Sequence, residues 1–196
     1  MQLSKNFTLK ELIRSETATR KGINNNPNED HIESLQRLCD HVLQVVREHF
    51  DKVVSISSGF RSEELCVAIG SSANSQHAKG QAADFEIFGL SNKELADWIV
   101  DNLSFDQCIL EYWNPDEPNS GWVHCSYKNE DDNRKEYLRA LRGADGRTSY
   151  QKEYSNTTGP TTDEVNDSLM DWRSSWHKQF FMLQLIIKYR KIYYGV

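Results

Sequence analysis

Residues 75–87 read SQHAKGQAADFEI, and the fold turns on how this stretch is taken. The segment from Gln81 to Ile87 has strand character, so successive side chains leave it on opposite faces. Ala83, Phe85 and Ile87 suit a core, which puts Asp84 on the open face with Glu86 at i+2. His77 precedes the strand across a turn made by Lys79 and Gly80. Such a histidine and aspartate are either ordinary strand-and-turn residues or two-thirds of a metal site.

Further along, DQCILEYW (106–113) and GWVHCSY (121–127) read as two strands joined by the turn NPDEPNS (114–120). Alternation groups His124 with Trp122 and Ser126, opposite Val123, Cys125 and Tyr127. If these strands share a sheet with the first, Asp84 and His124 share its open face, and His77 returns to them over the turn. Two imidazoles and a carboxylate are a zinc set of the hydrolytic kind, leaving the fourth tetrahedral position to water. Iron and copper are less expected with such donors. From the residues alone, the trio fits a metal site and unrelated hydrogen-bonded side chains equally. His31, His41, His49 and His177 lie in helical patterns and read as ordinary helix residues.

Around these strands the pattern is helical. Thr8 opens a short helix within 7–15, with Glu11 as capping-box partner. After the loop GINNNPNEDH, a helix starting near Asn28 or Glu29 carries Ile32, Leu35, Leu38, Cys39, Val42, Leu43, Val45, Val46 and Phe50 as one wide apolar stripe. KVVSISSGF (52–60) is β-rich, SEELCVAIG (62–70) reads as a short helix, and SNKELADWIVDNL (91–103) as a helix capped by Ser91 and Glu94. RKEYLRALRG (134–143) fits a helical segment or a strand extension. The class is α+β: helices around a small, mostly antiparallel sheet that would carry the metal site, with an appended C-terminal helix.

Composition narrows the function classes. The 196 residues fit one domain with a single core. A net charge of −6 argues against nucleic acid as the main partner. Cys39, Cys66, Cys108 and Cys125 show no close pairing and read as reduced, buried thiols. The opening residues lack the apolar core of a signal peptide, and FFMLQLII (180–187) is too short to span a bilayer.

The succession SGFRS, SQHAKGQAADF, FDQCILE and WVHCSY resembles the M15 family of zinc peptidases, which includes D-alanyl-D-alanine carboxypeptidases and phage endolysins that cut peptidoglycan stem peptides. The likeness covers roughly residues 3–150, including the opening NFTLKELIRSETATRKGI, and is closest to the short, phage-associated branch. It implies one zinc ion on His77, Asp84 and His124, and places Arg61 in the substrate cleft. Ser75 and Gln76 would supply second-layer or substrate hydrogen bonds. Two departures, Cys66 for a frequent asparagine and Ser71 for a second glycine, bear on loop shape rather than chemistry.

A third departure bears on catalysis. Several M15 enzymes place an acid three residues before the last histidine, where this chain has Gly121. A carboxylate must still move the proton of the attacking water. Glu111 is the first choice, since it shares a strand face with Gln107 and Ile109 and can lie across a hairpin from the His124 region. Glu86, Asp116 and Glu117 are reserves. Arg61 would grip a substrate carboxylate or steady the oxyanion, and Trp122 would wall the cleft.

The expected protein is a zinc peptidase acting on peptidoglycan stem peptides, either a D-Ala-D-Ala carboxypeptidase or an endopeptidase, and a phage or prophage lysis enzyme. Such an enzyme would gather in the host cytoplasm before release to the wall, or travel with the virion. The alternative is a non-catalytic, zinc-stabilised wall-binding or virion module. Residues 1–150 would form the peptidase domain, 151–160 (from SNTTGPTTDE) a linker and 161–196 a helical tail. From Trp172 to Val196 that tail holds five basic and no acidic residues, with Trp172, Trp176 and Phe180 among its aromatics. It reads as a helix for an anionic membrane or wall polymer, or one packed on the body or a partner chain.

Overall fold

The computed structural model describes residues 1–155. Six helices and six strands follow one another as α1 (Leu9–Leu12), α2 (Glu16–Lys21), α3 (Glu29–Leu38), α4 (Gln44–Phe50), β1 (Val54–Ser58), α5 (Glu63–Ala68), β2 (Ala82–Ile87), α6 (Asn92–Asn102), β3 (Gln107–Glu111), β4 (Trp122–Ser126), β5 (Glu136–Arg142) and β6 (Thr148–Lys152). The strands make one sheet in the order β1-β2-β4-β3-β5-β6. Every pairing is antiparallel except β3 with β5, which is parallel. The α+β class and the mostly antiparallel sheet therefore stand as read.

The apolar stripe of residues 32–50 folds as one helical rod. A π-helical turn at Cys39–Leu43 links α3 to α4 without breaking the rod. Leu35, Leu38, Cys39, Val42, Leu43 and Val46 are fully buried, and only Val45, from the edge of the stripe, is exposed. Asn28 caps the rod, accepting from the His31 amide at 2.9 Å, and the His31 ring accepts in return from the Asn28 N–H.

These helices share one hydrophobic core with a single face of the sheet. Phe85, Ile87, Cys108, Leu110, Val123 and Cys125 all enter it, following the two-residue period of their strands. Each large apolar side chain buried there contributes about 1.5–3 kcal/mol. The opposite face carries Asp84, Glu111 and His124 among apolar neighbours such as Ile109 and Trp122, and the site forms on it. All four cysteines are free and buried.

Several elements differ from the reading of the sequence. Strand β6 was not foreseen and runs on to Lys152, inside the stretch offered as a linker, while RKEYLRALRG takes the strand of its two readings, as β5. Helix α2, capped by Ser15, was not foreseen. Ser91 occupies the N-cap of α6, yet its side chain makes no capping hydrogen bond. His177 and the C-terminal helix lie outside the described residues, as does the basic tail. Among the described residues no helix is long and apolar enough to cross a membrane.

Candidate metal centre and cleft

Register alone brings the first two donors together. Asp84 of β2 pairs directly with His124 of β4, and His124 pairs with Ile109 of β3. His77 arrives from a 3-10 turn at Gln76–Lys79, closed by Gly80 in the left-handed conformation. A Cβ on Gly80 would collide with the His31 carbonyl, so this close turn requires glycine. Ser75 caps the turn, its hydroxyl accepting from the His77 amide at 3.3 Å.

The three side chains are buried and converge. His77 Nε2 lies 3.2 Å from His124 Nδ1 and 3.2 Å from Asp84 Oδ1, while His124 Nδ1 lies 2.8 Å from the same oxygen. Bonds of about 2.0–2.1 Å in a tetrahedral set separate neighbouring donors by roughly 3.3 Å, close to this spacing. On its other side the His77 ring meets the Gly59 carbonyl, with Nδ1 at 2.7 Å. A carbonyl only accepts, so Nδ1 carries the proton and Nε2 turns its lone pair inward. A carboxylate oxygen and inward-turned imidazole nitrogens at these distances form a donor set for a cation, and the residues fit a metal ion.

Arg61 joins this centre in a way the sequence did not suggest. Its Nη2 bonds Asp84 Oδ2, and its Nε donates to Ser58 Oγ at 2.7 Å. A register shift in β1 between Ile56 and Ser58 brings Ser58 opposite Asp84. Asp84 thus gives one oxygen to the guanidinium and turns the other toward the imidazoles. Burial alone would raise the Asp84 carboxyl, but His77 and His124 hold it well below the usual carboxylate range.

The centre opens into a cleft of about 700 Å³, lined by Arg61, Ser75, Gln76 and Trp122 as well as by Glu111. Gln76 is engaged from behind: its amide donates to Asp106 Oδ2 at 2.8 Å. Asp106, fully buried, also takes Arg134 Nη2 at 2.7 Å and Lys128 Nζ at 2.9 Å. The Trp122 indole N–H is buried without an acceptor among the described residues.

Glu111 ends β3 opposite Trp122, on the same face as Ile109 and therefore beside His124. Burial and the nearby Asp84 carboxylate raise its pKa, against the lowering pull of His124 and Arg61. Gly121 explains why no acid stands three residues before His124. It has φ +67°, and a Cβ there would land on the Glu111 carbonyl. Of the reserve carboxylates, Glu86 is exposed on β2, and Asp116 and Glu117 are exposed in the β3–β4 turn; none lines the cleft.

Sequence reasoning missed Ser58, the Gly59 carbonyl and Asp106 as supports, and Tyr112, Arg142, Thr148 and Tyr150 as cleft wall. SGFRS contains the first two, but no local pattern reveals that a backbone oxygen fixes an imidazole.

An α+β sheet thus carries a buried His–Asp–His donor set, able to hold a metal ion, at the floor of a cleft. A family model described as Peptidase M15 matches residues 5–126. The chain belongs to the M15 peptidase family. Membership supports a metallopeptidase, a hydrolase working with zinc on peptidoglycan-type substrates. No curated protein matches the sequence.

Proposed function

We propose that this protein is a zinc peptidase that hydrolyses peptide bonds in peptidoglycan stem peptides, with His77, Asp84 and His124 holding one zinc ion. The observation carrying this reading is the convergence of three donor atoms beside a half-buried Glu111 on one sheet face. Zinc in such a set acidifies a water to a pKa of roughly 7 and polarises a carbonyl.

The residues around it divide the remaining work. Glu111 accepts the proton of the attacking water and returns it to the leaving amine, as a general base and then a general acid. Its burial and raised pKa suit a group that must both take and release a proton. Arg61 neutralises Asp84 Oδ2 and holds the carboxylate in place, and its position in the cleft also lets it meet the substrate. Ser75 and Gln76 orient the turn that carries His77, and Trp122 forms a wall against the substrate backbone. Both a D-Ala-D-Ala carboxypeptidase and a stem-peptide endopeptidase use these parts, in a lysis role for a phage or prophage.

The test is purified peptidoglycan incubated with the zinc-loaded protein and with His124→Ala and Glu111→Gln, followed by mass spectrometry of released fragments. New peptide termini with wild type alone are expected, and they name the bond. Intact stem peptides despite stoichiometric zinc would overturn the reading in favour of a non-catalytic wall-binding module.

A further inference from the structure

We infer that Arg142, on the β5–β6 hairpin, is the residue with which the cleft recognises a carboxylate of its peptide ligand, at a distance from the metal centre. The inference rests on the peptide-cleft reading above, but not on hydrolysis itself.

The register carries the first part. β3 and β5 run parallel, with Ile109 beside Leu138 and Glu111 beside Ala140. Alternation then puts Leu138, Ala140 and Arg142 on the face that bears Glu111. In the hairpin, Ala140 pairs with Tyr150 and Arg142 with Thr148, so these two β6 residues share that face as well. Arg142, Thr148 and Tyr150 accordingly line the same cleft as the metal centre. All three lie beyond residue 126, where the family match ends. The hairpin adds a wall to the cleft outside the matched residues.

Charge carries the second part. Two arginines line the cleft, and they are not equivalent. Arg61 is already engaged with Asp84 and Ser58. Arg142 is exposed and has no carboxylate partner among the described residues; the neighbouring Asp145 pairs with Arg147 at 3.7 Å. Its guanidinium lies 5.0 Å from the Tyr112 ring centroid, and the Tyr112 hydroxyl is hydrogen-bonded to Thr148 Oγ1 at 2.7 Å. A cation laid on a fixed aromatic ring keeps its forked N–H edge free and loses little freedom when a carboxylate arrives. The site is built and uncommitted.

Spacing fixes where on the ligand the carboxylate sits. Arg142 is two strands away from His124 and four residues further along, on the order of 15 Å at the backbone. The long arginine side chain covers part of that gap, and an extended peptide advances about 3.3–3.6 Å per residue, so the carboxylate lies about two or three residues from the bond at the metal. The ligand class is therefore an acidic peptide of several residues rather than a dipeptide.

The test compares a synthetic acidic stem-type pentapeptide with a counterpart in which only the side-chain carboxylate two or three residues from the bond at the metal is a carboxamide, both titrated calorimetrically into the zinc-loaded protein and into Arg142→Gln. Wild type should bind the acidic peptide at least tenfold more tightly, and Arg142→Gln should bring that ratio to within about twofold of unity. Arg142→Lys should restore only part of it, since an ammonium cannot form the two-pronged contact. Equal affinity of wild type for both peptides, no binding of either, or the same preference in Arg142→Gln would each overturn the proposal. Because Arg142 also packs on Tyr112, the variant's melting temperature is measured alongside. A lower melting temperature with an unchanged preference would make the arginine structural. Whether the peptides are cut is read separately by mass spectrometry, so failure of the peptidase reading is seen apart from failure of this one.

Discussion

Gly121 lies so close to Glu111 that a single added Cβ would overlap the Glu111 carbonyl oxygen. The position that carries an acid in several M15 relatives is thus filled here by the backbone of the strand bearing the remaining candidate base. The exchange is steric as well as chemical, because an acid at 121 would displace Glu111. Gly121→Ala should cost at least about 2 kcal/mol, combining the left-handed backbone penalty with overlap. Urea unfolding measures it. Gly121→Glu combined with Glu111→Gln should recover no turnover, and recovered hydrolysis would show that the base can occupy either place.

Zinc binding is expected at one equivalent, read by calorimetry and by thermal melting. At a free zinc concentration a hundredfold above Kd, linkage stabilises the fold by about 2.7 kcal/mol. For a chain of this size that is a rise of roughly 5–10 °C in Tm. His77→Ala, Asp84→Ala and His124→Ala should each abolish the rise, whereas Glu111→Gln should keep it. The rise should fade as pH drops, because metal binding to such donors releases protons.

Glu111 should destabilise the metal-free protein. Its folded pKa is raised, first by burial and then by Asp84, so the folded state binds its proton more tightly than the unfolded chain does. Stability from that proton is present below the unfolded pKa of about 4.3 and lost as pH rises through the folded value. Metal-free Glu111→Gln should therefore be more stable than wild type at pH 7, with the difference closing toward pH 4. Unfolding midpoints at the two pH values test this, and a wild-type advantage at pH 7 would reverse the assignment.

Asp106 should behave in the opposite sense. Burial would raise its carboxyl, but hydrogen bonds from Arg134, Lys128 and Gln76 hold it well below the usual range. Its contribution is then full above the unfolded pKa of about 3.9 and lost as pH falls toward the folded value. With both cations partly exposed, Asp106→Asn should cost about 2–3 kcal/mol at pH 7. That gap should narrow between about pH 5 and pH 2. Because Asp106 also holds Gln76, zinc affinity should weaken in the same variant.

The floor of the site was legible because its strands obey a strict period of two. Once Phe85 and Ile87 are taken as core, Asp84 has only one face left, and the same holds for His124 between Val123 and Cys125. The hairpin wall was not legible. RKEYLRALRG alternates as well as it repeats helically, and TSYQK in β6 is exposed at every residue, so no burial pattern marks it as a strand. Arg61 lines the cleft, but its bond to Asp84 depends on a register shift in β1 that composition does not encode. The π-helical turn in the long rod is equally silent, since its residues keep helical spacing throughout.

The placement of β4 between β2 and β3 has a kinetic consequence. His77 and Asp84 precede His124 in the chain, so during synthesis they emerge without their third companion. The trio is complete only after β4 has paired with β2, which joins Asp84 to a histidine 40 residues further along, a non-local event. Metal capture is therefore expected to follow strand pairing rather than to template it. Zinc should slow unfolding while leaving the refolding rate of the metal-free chain within about twofold, as expected for contacts absent from the transition state. Stopped-flow refolding with and without the ion decides this, and marked acceleration would mean that the ion recruits the strands instead.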